Sequence, residues 1–144
     1  MKLVILAGGY GTRIRDVSED IPKPMIKIGP YPIIWHIMYL FSKYGIKDFI
    51  VCLGYKGNII KNFFLNYKSF SSDFTIDLKS GVSTFYSNKE NLDWKITFVD
   101  TGLNTMTGGR IGRIKKYVGD NEFMITYGDG LSDVNINKTM LKRS

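Results

Sequence analysis

Residues 2–13 read KLVILAGGYGTR, an apolar run that passes directly into a turn with three glycines. The apolar part predicts a buried β-strand over residues 2–7, and the glycines mark a turn after it. Glycine lets the backbone adopt positive φ and approach a ligand closely, so that backbone N–H groups can donate to anionic oxygens. Arg13 can bind the same oxygens with its guanidinium group. We therefore expect a phosphate-binding loop, although a glycine-rich turn without a ligand fits the same residues.

The two most common phosphate loops do not fit this stretch. A Walker A loop needs a lysine followed by serine or threonine after its second glycine, and no such lysine follows Gly8 and Gly9. The dinucleotide fingerprint that starts from Gly9 and Gly11 would need a third glycine at position 14, which is Ile14. If the loop binds phosphate, it is therefore of another class, and a glycine-rich turn without a ligand stays open.

The rest of the chain alternates between strand and helix patterns. The predicted strands are 48–53, 95–100 and 122–127, with a strand or hairpin within 73–92, and the predicted helices are 33–44, 59–64, 111–118 and 138–144. Gly45 is a candidate C-cap, Asn58 a candidate N-cap, and Asn135 or Asn137 a candidate cap for the last helix. This order predicts an α/β fold with a Rossmann-like, open, mostly parallel sheet and helices on both faces.

Length and composition indicate one soluble domain. The chain has 144 residues, 44% of them hydrophobic and 23% charged. It contains no apolar run of about 18 residues, so no membrane span is expected, and its N-terminus does not resemble a signal peptide. The one cysteine, Cys52, lies in an apolar run and is expected to be a buried, inert thiol in a reducing cytoplasm. The one histidine, His36, has no histidine or cysteine partner for zinc and is expected to pack structurally.

The net charge of +7 raises the question of nucleic-acid binding. Basic residues are interspersed with acidic ones along most of the chain, whereas nucleic-acid binders usually gather them on one face. We therefore favour a solvated surface with one or two functional arginines over nucleic-acid binding.

Two segments besides the glycine loop are candidates for site chemistry. Lys23 stands between two prolines in Pro22-Lys23-Pro24-Met25, which is either a rigid mount for one ammonium group or a turn with a solvated lysine. Asp129 follows a predicted core strand, in Tyr127-Gly128-Asp129-Gly130. Ligands of open α/β sheets bind at such strand ends, and a carboxylate there can hold Mg²⁺, although Gly-Asp-Gly also suits a simple turn.

A third candidate segment lies between a strand and a helix. Met106-Thr107-Gly108-Gly109-Arg110 offers backbone donors at a helix start, and Arg110 is placed to meet a phosphate or a base. A flexible loop with a surface arginine is the alternative.

Together these motifs resemble the sugar-1-phosphate nucleotidyltransferases. The resemblance rests on Leu6-Ala7-Gly8-Gly9-x-Gly11-Thr12-Arg13, on PKPM at 22–25 and on YGDG at 127–130. Five further segments are similar to the branch that uses CTP and glucose 1-phosphate: WHIM at 35–38, GIKDFI at 45–50, GYKG at 54–57, VDTG at 99–102 and MTGGR at 106–110. The similarity runs from residue 1 to about residue 137.

The resemblance implies a reaction and a set of site residues. The reaction is CTP plus α-D-glucose 1-phosphate giving CDP-glucose and pyrophosphate, with Mg²⁺ as cofactor. The implied catalytic residues are Arg13, Lys23 and Asp129, with Asp129 as metal ligand. The implied substrate-binding and nucleotide-binding residues are Leu6, Ala7, Gly8, Gly9, Tyr10, Gly11, Thr12, Arg13, Lys23, Thr105, Arg110 and Gly128. In this family CDP-glucose commonly feeds the deoxysugars of surface polysaccharides.

Family domains of this kind continue well past 144 residues, so residues 1–144 are expected to be the N-terminal, nucleotide-binding portion of a nucleotidyltransferase domain, with the fold truncated. A cytoplasmic homo-oligomer without nucleic-acid or membrane partners is expected. Two alternatives stay open: a truncated, non-catalytic nucleotide-binding relative, and a related transferase that uses dTTP or UTP.

Overall fold

A computed structural model of the chain describes residues 1–8, 21–86, 92–101, 107–119, 121–129 and 140–141, with the backbone alone at 107–111 and 140–141. Its strands are β1 (Lys2–Ala7), β2 (Lys27–Ile28), β3 (Tyr31–Pro32), β4 (Asp48–Leu53), β5 (Phe74–Ile76), β6 (Ser83–Phe85), β7 (Lys95–Asp100), β8 (Phe123–Tyr127) and β9 (Met140–Leu141). Its α-helices are α1 (Ile33–Ser42), α2 (Gly57–Leu65), α3 (Tyr67–Ser71) and α4 (Thr107–Val118), and Lys23–Met25 form a 3-10 helix.

Five strands form one sheet in the order β7-β4-β1-β8-β9. The first four are parallel to one another, and β9 is antiparallel to β8. The predicted open, mostly parallel sheet is therefore confirmed, with β1 at its centre. The hairpin predicted within 73–92 is also present, as the antiparallel pair β5 and β6.

The sheet has a hydrophobic core on each face because alternate side chains of its strands point to opposite faces. On one face Leu3 and Ile5 of β1 pack in a cluster with Phe41 of α1 and Ile60 of α2. On the other face Val4 of β1 packs in a cluster with side chains of α4. Helices therefore cover both faces, as predicted.

Gly45 closes α1 as the sequence predicts. Its φ is +89°, its N–H donates to the carbonyl of Ser42 at 3.0 Å, and the N–H of Ile46 donates to the carbonyl of Phe41 at 3.3 Å. These two hydrogen bonds satisfy carbonyls that would otherwise lack partners at the helix end.

Two predictions about helices are wrong, one about a helix start and one about a whole helix. Helix α2 begins at Gly57 with Lys56 as its N-cap, so Asn58 lies inside the first turn. Lys56 adopts a left-handed backbone conformation, with φ of 51°, and this turns the chain into the helix before Asn58 is reached. The predicted helix 138–144 is contradicted at residues 140–141, which form β9. The outer edge of β8 offers backbone groups for pairing, whereas so short a helix is unstable by itself. Asn135 and Asn137 lie outside the described residues.

Cys52 and His36 occupy the structural positions expected of them. Cys52 is fully buried in β4. Nε2 of His36 donates to the carbonyl of Ile28 at 2.8 Å, which attaches α1 to the small β2–β3 hairpin. Within the described ranges, no helix has the length and apolar character needed to cross a membrane.

Candidate functional site

The carboxyl ends of four parallel strands lie side by side at one edge of the sheet. Ala7 of β1 is in register with Leu53 of β4, and Leu53 with Asp100 of β7. On the other side, Leu6 is in register with Tyr127 of β8. Ligands of open α/β sheets bind outside this edge, so the segments that follow these strands are the candidates for a site.

Backbone hydrogen bonds hold these following segments to one another. Tyr55 N–H donates to Gly8 O at 3.4 Å, Thr101 N–H to Leu53 O at 3.0 Å, and Gly128 N–H to Leu6 O at 3.0 Å. The hydroxyl of Thr101, a fully buried residue, also donates to Leu53 O at 3.0 Å. Residues that directly follow neighbouring strands therefore remain neighbours, and the candidate residues lie among them.

The start of the predicted phosphate loop is buried at this edge. Leu6 and Ala7 are 5% and 4% exposed, and Gly8 is buried beside Gly54. A Cβ placed on Gly54 would contact the carbonyl oxygen of Gly8 and lie 2.9 Å from its Cα. The loop thus leaves the sheet from a tightly packed position. Five of the predicted loop residues lie outside the described residues: Gly9, Tyr10, Gly11, Thr12 and Arg13.

The Pro-Lys-Pro-Met segment forms a single turn of 3-10 helix. Met25 N–H donates to Pro22 O at 2.8 Å, and Ile26 N–H to Lys23 O at 3.1 Å. Both prolines of the segment are buried, whereas Lys23 is exposed. This geometry fits both predictions for the segment, a rigid mount for one ammonium group and a turn with a solvated lysine.

Gly128 brings this segment to the end of β8. A Cβ placed on Gly128 would lie 3.1 Å from Cγ2 of Ile5, 3.3 Å from Cβ of Ala7 and 3.4 Å from Cγ of Pro24. Lys23 and Asp129 each lie one residue from this contact, and both are exposed. The segments that carry the predicted cation and the predicted carboxylate therefore lie beside the carboxyl end of β1, where the glycine loop begins.

The remaining predicted residues are not described at the level of their side chains. Arg110 lies in the first half of α4, where the backbone alone is described, and Thr105 lies outside the described residues. Helix α4 is the next described element after β7. Its N-terminus therefore follows, along the chain, the strand end at which the candidate site lies.

Asp129 can serve as one carboxylate ligand of Mg²⁺. Mg²⁺ in phosphate-transfer sites is bound by one or two carboxylates, with phosphate oxygens and waters completing the shell. Asp100, the last residue of β7, also lies at this edge. Three strand spacings, or about 14 Å, separate β7 from β8, so the two carboxylates cannot share one ion. Among the described residues no cluster of three or more histidine, cysteine, aspartate or glutamate side chains could hold a metal.

The connection between β4 and α2 entered the sequence analysis only as part of the family resemblance, and its contact with Gly8 was not predicted. Gly54 and Tyr55 contact Gly8, and Lys56, with φ of 51°, is the one non-glycine residue with positive φ among those described. Nζ of Lys56 lies 5.7 Å from the centroid of the Tyr55 ring. The signal that could have identified this segment is the pair Gly54 and Gly57 directly after a predicted core strand.

A separate groove of about 690 Å³ lies away from this edge, between α3 and β7. Its walls include Phe64, Tyr67, Phe85, Trp94 and Phe98. None of the predicted site residues that the structure describes lines this groove, so it is a different surface from the described part of the candidate site.

Comparison with known proteins identifies the family of the chain. The model of the nucleotidyl transferase family matches residues 2–141. The chain belongs to this family. It is 49% identical, over 141 residues, to a glucose-1-phosphate cytidylyltransferase of Salmonella typhimurium, covering 97% of this chain and 54% of that protein. It is 48% identical, over 136 residues, to a probable glucose-1-phosphate cytidylyltransferase of Bacillus subtilis, covering 94% of this chain and 53% of that protein.

Solved structures agree with the fold. HddC from Yersinia pseudotuberculosis, in a crystal structure complexed with GMP-PN, matches this nucleotidyl transferase with a TM-score of 0.63 and 28% identity, over 95% of this chain and 51% of that one. The chain thus spans about half the length of the relatives that it matches.

Proposed function

We propose that this chain is the N-terminal, nucleotide-binding portion of an enzyme that transfers a cytidylyl group from CTP to α-D-glucose 1-phosphate, giving CDP-glucose and pyrophosphate. The observation that supports the proposal is the close packing of Gly128 against Pro24 and the end of β1, because the segments that carry Lys23 and Asp129 then lie beside the start of the glycine loop. Identities of 48% and 49% to proteins named for this reaction support the choice of substrates.

The charges at the sheet edge suit this chemistry. A phosphate oxygen of glucose 1-phosphate forms a bond to the α-phosphorus of CTP while the bond from that phosphorus to pyrophosphate breaks. The nucleophile is already an anion, so the reaction needs no strong general base. Its main obstacle is the repulsion between two anions, which cations and backbone N–H groups reduce by holding the reacting groups in line. Lys23 and Arg13 are the proposed cations.

Asp129 is the proposed ligand for Mg²⁺, which when bound would neutralise phosphate charge. The carboxylate is exposed at the end of β8, where a nucleotide held by the glycine loop could bring its phosphates to it. The remaining proposed contacts are those of Leu6 to Thr12, Thr105, Arg110 and Gly128 with the nucleotide or sugar phosphate. We also propose a cytoplasmic homo-oligomer as the working form, with its product used for surface polysaccharides.

The identity of the nucleotide base is the least constrained part of this proposal. HddC, which shares this fold at 28% identity, is complexed with GMP-PN. A transferase that uses dTTP or UTP is the first alternative, because the glycine loop and Asp129 would be common to both. A nucleotide-binding chain without turnover is the second.

The test is pyrophosphate release by the 144-residue chain with Mg²⁺, glucose 1-phosphate and each of CTP, dTTP, UTP, GTP and ATP, alongside the dissociation constant of each nucleotide. We expect CTP to bind most tightly and to give the highest release. Higher release with another nucleotide would contradict the choice of CTP. Binding of CTP without release from any nucleotide would support the non-catalytic alternative, and no binding at all would overturn the proposal.

A further inference from the structure

We propose that Gly54 is a positioning residue for the phosphate loop, through its backbone contact with Gly8; this inference rests on the proposed nucleotide-binding function. Gly54 follows β4, and Gly8 follows the neighbouring strand β1. The two glycines are separated by 45 positions in the sequence and adjoin each other at the sheet edge.

The contact between the two glycines leaves no space for a side chain. A Cβ on Gly54 would overlap the carbonyl oxygen of Gly8, and it would lie 2.9 Å from the Cα and 3.0 Å from the carbonyl carbon of that residue. All three atoms belong to the backbone, so the overlap cannot be relieved by rotating a side chain. Either Gly8 or Gly54 would have to move.

Gly8 is the position from which a displacement would pass into the loop. On its N-terminal side the backbone is fixed, since β1 pairs with β4 on one side and with β8 on the other. Tyr55 N–H also donates to Gly8 O at 3.4 Å, which orients the peptide group where the loop begins. A side chain at position 54 would therefore displace Gly54, Gly8 or both, and a displacement of Gly8 would pass into the chain beyond it, where phosphate-binding N–H groups are expected.

Gly57 provides a comparison in the same connection. A Cβ on Gly57 would lie 2.9 Å from Cβ of Leu53, which belongs to the hydrophobic core and is 2% exposed. The clash at Gly54 is the more severe and is with the backbone of Gly8, whereas the clash at Gly57 is with a core side chain. Comparing the variants Gly54→Ala and Gly57→Ala therefore separates an effect on the position of the loop from a general effect on folding.

The experiment measures the dissociation constant of CTP with Mg²⁺ for the wild type, Gly54→Ala and Gly57→Ala, at a temperature where thermal unfolding curves show each chain to be folded. We expect Gly54→Ala to raise the constant by about 10- to 100-fold, since small displacements of binding groups are costly. Gly57→Ala is expected to lower the melting temperature and to leave the constant within about twofold of the wild type. Equal constants for Gly54→Ala and the wild type would overturn the inference. Failure of the wild type to bind any nucleotide would instead overturn the proposed function, and this inference with it.

A second measurement covers the case in which Gly54→Ala does not fold. Amide hydrogen exchange of the wild type, followed by NMR, reports on the Tyr55 N–H that donates to Gly8 O. We expect saturation with CTP and Mg²⁺ to slow exchange of the Tyr55 amide at least about fivefold, because a bound loop holds Gly8 in place. Slower exchange at Gly128 with no change at Tyr55 would overturn the inference.

Discussion

At the scale of single residues, Gly128 is the point where three distant segments of the chain meet. The absence of a side chain there allows Pro24 to approach Ile5 and Ala7 at the end of the sheet. A methyl group at this position would be closer to its neighbours than most core contacts allow, and Pro24 cannot rotate away. The position of Lys23 therefore depends on a glycine that lies more than 100 residues away in the sequence.

We expect Gly128→Ala to lower the free energy of unfolding by about 1–3 kcal/mol because the added methyl group overpacks this contact. Urea unfolding measures the change. Gly112→Ala is the control, since no atom lies within 4 Å of a Cβ at that exposed position in α4. The control should raise stability by about 0.5–1 kcal/mol through its better helix propensity. Equal effects of the two substitutions would show that the contact at Gly128 is not tight.

Asp129→Asn should remove the effect of Mg²⁺ on CTP binding while leaving stability within about 0.5 kcal/mol, because the side chain is exposed. Titration of the chain with CTP, in the presence and in the absence of Mg²⁺, measures this effect on the dissociation constant. Asp73→Asn makes the same change of charge at an exposed position next to the β5–β6 hairpin and should behave like the wild type. A Mg²⁺ effect that survives in Asp129→Asn would rule out Asp129 as a metal ligand.

Part of the site was predictable at this scale, and part was not. The glycine loop, the lysine between prolines and the aspartate after a strand each carry a local signal of composition. The contact between Gly8 and Gly54 has no such signal, because it depends on the pairing of β1 with β4. A glycine directly after a strand predicts a turn. Only the pairing register of the strands shows which residues that turn contacts.

At the scale of elements, aromatic side chains connect α1 to its neighbours. Trp35 stacks on Tyr31 with ring centroids 4.0 Å apart and on Tyr39 with centroids 5.1 Å apart. Its Nε1–H donates to the hydroxyl of Tyr67 at 3.0 Å, which links α1 to α3. Because Trp35 is only 6% exposed, its N–H has little access to water if Tyr67 is changed.

We therefore expect Tyr67→Phe to lower the free energy of unfolding by about 1–3 kcal/mol, since it leaves a buried donor without its acceptor. The control is Tyr44→Phe, which removes the same hydroxyl group from a side chain that is 69% exposed and should change stability by less than about 0.5 kcal/mol. Urea unfolding of both variants tests the claim. If Tyr67→Phe were as stable as Tyr44→Phe, the hydrogen bond would contribute nothing measurable.

The elements themselves were largely predictable because most have a clear periodicity, and β4 and β7 have the predicted bounds. The wrong predictions fall where tertiary pairing or backbone geometry determines the secondary structure. Residues 140–141 pair with β8 although their sequence is compatible with a helix. Helix α2 begins before Asn58 because Lys56 takes a left-handed conformation that lysine rarely adopts.

At the scale of the whole molecule, the central position of β1 connects the site to both hydrophobic cores. Leu3 and Ile5 belong to one core, Val4 and Leu6 to the other, and β4 and β8 pair on either side. The proposed phosphate loop thus begins at the end of a deeply buried strand. Sequence patterns predicted a parallel sheet, but the order of its strands depends on long-range pairing that periodicity does not encode.

The most direct test of the central claim is an NMR titration of the ¹⁵N-labelled chain with CTP and Mg²⁺. If the nucleotide binds at the carboxyl edge of the sheet, the largest amide shifts will be at Gly8, Gly54, Thr101, Gly128 and Asp129. Residues at the opposite edge should be unchanged: Asp48, Lys95 and Phe123, which begin β4, β7 and β8. The account would be contradicted if the largest shifts fell instead on Tyr67 and Trp94 in the groove, or if saturating CTP moved no amide at the carboxyl edge.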